Sequence, residues 1–182
     1  MNEPLNHNPH VLPPHIREWV FGAEGGYGND TDDRGGETRY GISKKQYPGI
    51  DIATLTRERA EEIYARDYWT PVRGAELPPA LALAVFDAAV LQGPAKAVRF
   101  LQLALAKVGL DDVHADGLIG PATLHGAKLG AAEGLDTILA ETLSFRALHL
   151  VDLAVKDVTQ RKWIRGWLNR LFLLEAACLR LA

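Results

Sequence analysis

Apolar residues recur at three- and four-residue steps over most of the chain, the spacing of one helix face. Behind Pro13 and Pro14, which suit a helix start, Ile16, Trp19, Val20 and Ala23 trace a first helix, and Gly25 and Gly26 are expected to stop it. Thr38 to Ser43 alternates and predicts a short strand or hairpin arm. From Thr56, a side-chain cap, a second helix is expected to about Trp69, with Ala60, Ile63, Tyr64 and Tyr68 on one side. Leu77 to Leu91 is apolar nearly all round, which predicts a central, buried helix. Asp87 interrupts it. A buried aspartate needs partners, so it either anchors the fold or faces a cleft, and anchoring is the reading adopted.

Gly93-Pro94 punctuates the chain before a helix from Ala95 to Val108, which Gly109 is expected to end. The run Asp116-Gly117-Leu118-Ile119-Gly120-Pro121-Ala122-Thr123 reads as a turn entering a helix with proline at its first position. Two long helical stretches follow, Leu135 to Val155 and Arg161 to Leu181. The last repeats Ile164, Trp167, Leu168, Leu171, Leu174, Cys178 and Leu181. Residues 1–12 read as a frayed arm. The fold class is mainly α, with a small β-hairpin element near residues 27–43.

Composition adds little until charge is mapped. The chain has 182 residues, 47% of them hydrophobic, enough for one sizeable core or two small lobes. A net charge of −3 gives no reason to expect a nucleic-acid partner. Yet Arg161, Lys162, Arg165, Arg170 and Arg180 face the single acid Glu175 in the last 22 residues, so this end carries +4 and the rest −7. It either meets an anionic surface or pairs with acids elsewhere in the fold. The lone Cys178 excludes an internal disulfide and reads as a buried structural residue. The first residues show no basic stretch followed by an apolar run, so the chain is expected to be made in the cytoplasm.

Glu24 is the candidate for chemistry. It lies where the first helix should end, close in sequence to Trp19, Phe21 and Tyr27. The negative end of a helix dipole and partial burial both favour the protonated carboxyl, the form a general acid needs. The segment after it is rich in glycine and carries Asp30, Asp32, Asp33, Glu37 and Thr38. Cleaving a glycosidic bond asks for such a set, one acid to protonate the leaving oxygen and a second group on the opposite face. Asp33, nine positions on, is far enough along a loop to reach across a cleft, and Thr38 could hydrogen-bond the same water. Residue types alone leave open a solvated turn or a calcium loop, although the acids do not keep the calcium step. His7, His10 and His15 lack the acid or cysteine that would complete a metal site.

The run from Glu24-Gly25-Gly26-Tyr27 through Asn29-Asp30, Asp33, Gly35-Gly36, Thr38 and Tyr40-Gly41-Ile42 resembles the signature of glycoside hydrolase family 108. This lysozyme-like family contains phage endolysins and secretion-linked muramidases. Thr31 stands where the family often has proline. The likeness continues through Tyr64, Tyr68-Trp69, Leu77-Pro78, Phe86-Asp87-Ala88-Ala89, Leu101-Gln102 and Asp116-Gly117. It reaches a peptidoglycan-binding-type segment at Arg165-Gly166-Trp167-Leu168-Asn169-Arg170, and so covers nearly all of residues 12–182.

The resemblance implies a lysozyme-like catalytic region over 12–110 and a helical peptidoglycan-binding-type region over 111–182, packed together as one compact unit. It implies an N-acetylmuramidase that needs no cofactor or metal, with peptidoglycan as its partner and the monomer as its state. Glu24 falls on the family's catalytic glutamate. Asp33 and Thr38 approximate the second group and the threonine of phage-type lysozymes, the threonine one residue early. Tyr27, Asn29 and Tyr40 are candidate sugar contacts. Trp167 is expected in the core, and Arg165 and Arg170 either meet anionic peptide stems or pin the helix. Action on the wall implies release from the host cytoplasm through a pore-forming partner. Three alternatives stand: a non-catalytic peptidoglycan-binding protein, a stem peptidase (for which no His-Glu-x-x-His motif exists), and membrane contact by the basic C-terminal helix as an added activity.

Overall fold

The computed structural model describes residues 11–22, 37–110 and 112–182, so Glu24, Tyr27, Asn29 and Asp33 lie outside the described residues. The chain divides into two compact units, Met1–Asp67 and Tyr68–Ala182.

In the first unit, α1 spans Pro14–Phe21 with proline in its first turn, where no helical N–H is lost. Ile16 is its fully buried residue. The described helix closes at Phe21, where Gly22 caps it and donates its N–H to the Glu18 carbonyl at 2.7 Å. It therefore ends short of the stop expected from Gly25-Gly26. Strands β1 (Thr38–Arg39) and β2 (Ile42–Ser43) pair antiparallel, Thr38 opposite Ser43 and Arg39 opposite Ile42. The turn residues Tyr40 and Gly41 both have positive φ, 52° and 76°. Such mirror-image turns match the twist of the flanking strands. Helix α2 spans Arg57–Tyr64; the Thr56 side chain caps it, accepting from the Arg59 N–H at 3.2 Å. The chain runs on as a π-helical turn, Ala65–Trp69. Ile16, Ile42, Ile52 and Ile63 are buried almost completely, each contributing at most about 1.5–3 kcal/mol.

The second unit is a helical bundle: α3 (Pro79–Gln92), α4 (Pro94–Lys107), α5 (Pro121–Lys156) and α6 (Ile164–Leu179). Helix α3 packs against the other three, and every residue from Ala80 to Ala89 is buried. That is the central helix its all-round apolar pattern predicts. Helix α5 is broken at Gly134, whose φ of −179° and ψ of 69° leave the helical region. The second half thus starts at Leu135, where the periodicity places it. Residues Val158–Trp163 form a 3-10 turn, so α6 starts at Ile164 and not at Arg161. The cause is Asp157, whose carboxylate accepts from the Thr159 N–H and hydroxyl at 2.9 and 2.7 Å.

The Asp116–Gly120 turn is held by the buried Gln102. Its amide donates to Asp116, to the Leu118 carbonyl and to Thr123 at 2.8, 2.9 and 3.2 Å, and its oxygen accepts from the Gly117 N–H at 2.8 Å. Gly117 has a φ of 80°, and a Cβ there would lie 2.8 Å from the Ala95 carbonyl oxygen, so only glycine closes this turn on α4. Cys178 is buried, and burial pushes its thiol up to about 12, consistent with a structural residue. Among the described residues no helix is long and apolar enough to cross a membrane.

Candidate active site

The chemistry-bearing segment leaves α1 after Gly22 and meets the hairpin at Glu37. Both flanks are tied to one aromatic cluster. The Phe21 ring meets Tyr40 and Tyr64 edge-on, with centroids 6.1 and 5.8 Å apart and interplanar angles of 79° and 87°. Edge-to-face pairs of this kind are worth about 0.5–1.5 kcal/mol each beyond the area they bury. The Tyr64 hydroxyl donates to the Tyr40 carbonyl at 3.1 Å. The end of α1, the hairpin turn and the end of α2 are thereby joined, which brings together the two ends of the stretch containing Glu24 and Asp33.

Gly41 makes this junction possible. Its φ is 76°, and a Cβ there would lie 2.5 Å from the Tyr64 hydroxyl. The Lys44 N–H donates to the Glu37 carbonyl at 2.8 Å and closes the hairpin. Arg39 reaches the Ala53 carbonyl at 2.5 Å, its guanidinium 5.4 Å from the centre of the Tyr40 ring. Tyr40 is thus half-buried and engaged in packing by both Phe21 and Arg39. Thr38 is half-buried on β1 opposite Ser43.

Two other acids of this unit, Asp67 and Glu58, are held as ions. Arg66 grips Asp67 with two bonds of 2.6 and 2.7 Å, and the Tyr47 hydroxyl donates to it at 2.9 Å. The Arg66 hydrogen bonds hold the Asp67 carboxyl below its ordinary range. Glu58 is also lowered, first by a backbone N–H and then by Thr56. Glu61 lies between Arg17 and Arg57 at 3.9 and 3.5 Å. Asp67 and Glu58 can therefore balance charge but are poorly suited to deliver a proton. A cavity of about 470 Å³ runs beside α1 and α2, lined by Arg17, Glu18, Phe21, Gly22, Arg57 and Glu61 among others. It reaches Gly22, the last described residue before Glu24.

In the second unit Asp87 is an anchor. Arg146 Nη1 donates to its Oδ2 at 2.6 Å, and Arg170 Nη2 and Nε donate to its Oδ1 at 2.5 and 3.0 Å. Arg146 Nε donates to Gln92 at 3.0 Å. Burial disfavours the Arg146 charge, and Asp87 opposes that loss. One carboxylate of α3 therefore fastens α5 and α6. Arg170 pins its helix, one of the two roles open to it from sequence. Arg146 was not singled out by sequence: the buried Asp87 demanded a cation, but nothing in its surroundings identified which. Trp167, expected in the core, is only half-buried and lines a surface cavity. Its face of α6 becomes buried only from Leu171, one turn after it, so the first turns of the helix leave Trp167 at the cavity mouth. Among the described residues no group of three or more His, Cys, Asp or Glu side chains could hold a metal ion.

Residues 17–93 match the family described as Glycosyl hydrolase 108, and residues 96–172 match the one described as Predicted Peptidoglycan domain. The first match takes in most of α1, the hairpin, α2 and α3; the second runs from α4 into α6. No curated protein matches the chain in sequence. Among solved structures, that of Brucella abortus SagA is similar, with a TM-score of 0.73 and 30% identity over 92% of this chain and 91% of that chain. With both matches in order along the chain, and this identity spanning nearly all of it, the protein belongs to glycosyl hydrolase family 108, a peptidoglycan hydrolase whose glycosidase region is followed by a helical peptidoglycan domain.

Proposed function

We propose that the protein is an N-acetylmuramidase cleaving the β-1,4 bond between N-acetylmuramic acid and N-acetylglucosamine. Glu24 is the proton donor to the leaving oxygen. Asp33, with Thr38, positions the water or stabilises the oxocarbenium-like centre on the opposite face. Tyr27, Asn29 and Tyr40 contact the sugars, since aromatic faces and amides suit pyranose rings. The observation that carries this reading is the Phe21–Tyr40–Tyr64 junction, which ties down both flanks of the Glu24–Asp33 stretch as a two-group mechanism requires.

Glu24→Gln keeps the shape of the acid and removes its proton. Release of new reducing ends from purified walls should fall by about 10²–10⁴, the usual worth of a general acid, with circular dichroism unchanged. Undiminished hydrolysis by that variant sinks the assignment. Mass spectrometry of the wild-type products identifies the bond through the sugar left at the reducing end.

The biological setting that fits is bacteriolysis by a phage endolysin released through a pore-forming partner. Lysis of intact host cells by the chain produced without such a partner would remove that setting. Contact with anionic membrane is a further part of the proposal, supported by exposed Phe172 and Leu173 on α6 and by exposed Arg161, Lys162 and Arg165 before and within it. The Glu24→Gln chain separates this from hydrolysis: it should still release dye from anionic vesicles, and intact vesicles would exclude the contact.

A further inference from the structure

A cavity of about 430 Å³ opens between α3, α4, α5 and α6, and seven of the nine residues lining it fall within the peptidoglycan-domain match. Its lining includes Lys96, Arg146 and Arg170 and no acid. Arg146 is only 2% exposed. Its Nε is taken by Gln92 and its Nη1 by Asp87, and among the described residues no hydrogen bond engages its Nη2. Lys96 Nζ, on α4, lies 3.3 Å from His149 Nε2. Burial and then Lys96 hold His149 below its ordinary range, which favours the neutral imidazole as an acceptor for the Lys96 ammonium. Asp152, the acid on the same side of α5, is engaged by Lys156 at 3.4 Å. Against these cations stand the apolar walls of Trp167 and Leu153.

We infer that this cavity is the anchoring site of the peptidoglycan domain and takes a free carboxylate of the peptide stem, beside a small alkyl group, between Lys96, the Arg146 guanidinium and Trp167. The inference rests on the peptidoglycan-hydrolase reading and adds to it the part of the wall polymer that is held. Asp87 offsets one of the three positive charges and leaves two, which an uncharged N-acetylglucosamine strand does not engage, whereas a short peptide ending in a carboxylate beside an alanine methyl matches both the charge and the apolar wall.

The probe is a synthetic tetrapeptide of stem composition with free carboxylates, titrated calorimetrically into the full chain. It contains no glycosidic bond, so binding is read without turnover. Saturable binding is expected, weakened at least tenfold when the peptide carboxylates are amidated and at least tenfold by Lys96→Glu, with Lys96→Arg retaining it. Lys96 is exposed, so these variants should fold, and the amidated peptide tests the wild type with no substitution at all. Equal affinity for the amidated peptide, indifference to Lys96→Glu, or tighter binding of an uncharged N-acetylglucosamine oligomer than of the peptide would overturn the assignment. Release of new reducing ends from purified walls, which keep their peptide stems, tests the glycosidase reading separately: a chain that fails there and binds the peptide loses the first and keeps this site.

Discussion

Two carboxyl groups with opposite requirements for a proton frame the reading of this molecule. Glu24 is proposed to work because its proton is retained; Asp87 works because its charge is retained. Asp87 is 1% exposed and meets two guanidinium groups, so its ionised form is compensated inside the bundle. Asp87→Asn removes the charge and leaves the 98% buried Arg146 with no carboxylate among its partners. Breaking one side of a buried pair costs about 3–5 kcal/mol, a large share of the stability of an ordinary domain. Urea unfolding of the Asp87→Asn chain should show a midpoint lowered accordingly. A loss below about 1 kcal/mol would mean that the arginines hold α5 and α6 without it.

Among the elements, the hairpin turn is where local sequence and site geometry depend on each other most. Gly41→Ala forces a side chain into positive φ and drives a methyl into the Tyr64 hydroxyl. The backbone term alone is about 1–2 kcal/mol, and the Tyr64–Tyr40 bond is lost with it. Wall hydrolysis should therefore fall along with thermal stability, because the turn holds one flank of the Glu24 stretch; normal hydrolysis with a lowered melting temperature would show that the junction is structural only. Much at this scale was legible in the chain. The all-round apolar run gave the central α3, although it begins at Pro79 and not at Leu77; prolines marked the starts of α1, α4 and α5, and Thr56 capped α2. The β element falls in the Thr38–Ser43 run, but that run folds back at Tyr40-Gly41 into a complete hairpin and is not a single arm. What could not be read has physical causes. Three glycines stand in close succession after α1, and local propensity does not say that Gly22 closes the helix before Gly25 and Gly26. Asp157 tightens the next turn through its own side chain, an alternative to helix that periodicity does not reveal. The bond from Asp87 to Arg146 joins residues 59 apart, and such pairing depends on helix packing, which one sequence does not display. Of the six candidate site residues only Thr38 and Tyr40 lie among those described, and Tyr40 has a packing role that residue type alone left open.

For the whole molecule, acid sensitivity follows from which protons folding excludes. His15 in the first unit and His149 in the second are both lowered, first by burial, and His15 Nε2 is buried with no hydrogen-bond partner among the described residues. The unfolded chain titrates these imidazoles near 6.5, so below that pH it binds protons that the folded chain refuses. Stability is then complete above about 6.5 and declines as pH falls through the depressed values. Asp67, Glu76 and Asp116 act in a lower window: hydrogen bonds to their ionised forms hold them down, and their contribution is present above about 4 and lost on further acidification. Melting temperature should therefore be flat above pH 7, begin to fall below about 6.5, and fall further below about 4. Replacing both histidines by glutamine should remove the first decline and leave the second. If the first decline persists in that double variant, other groups bind the protons, and burial of these two imidazoles is not what makes the fold sensitive to mild acid.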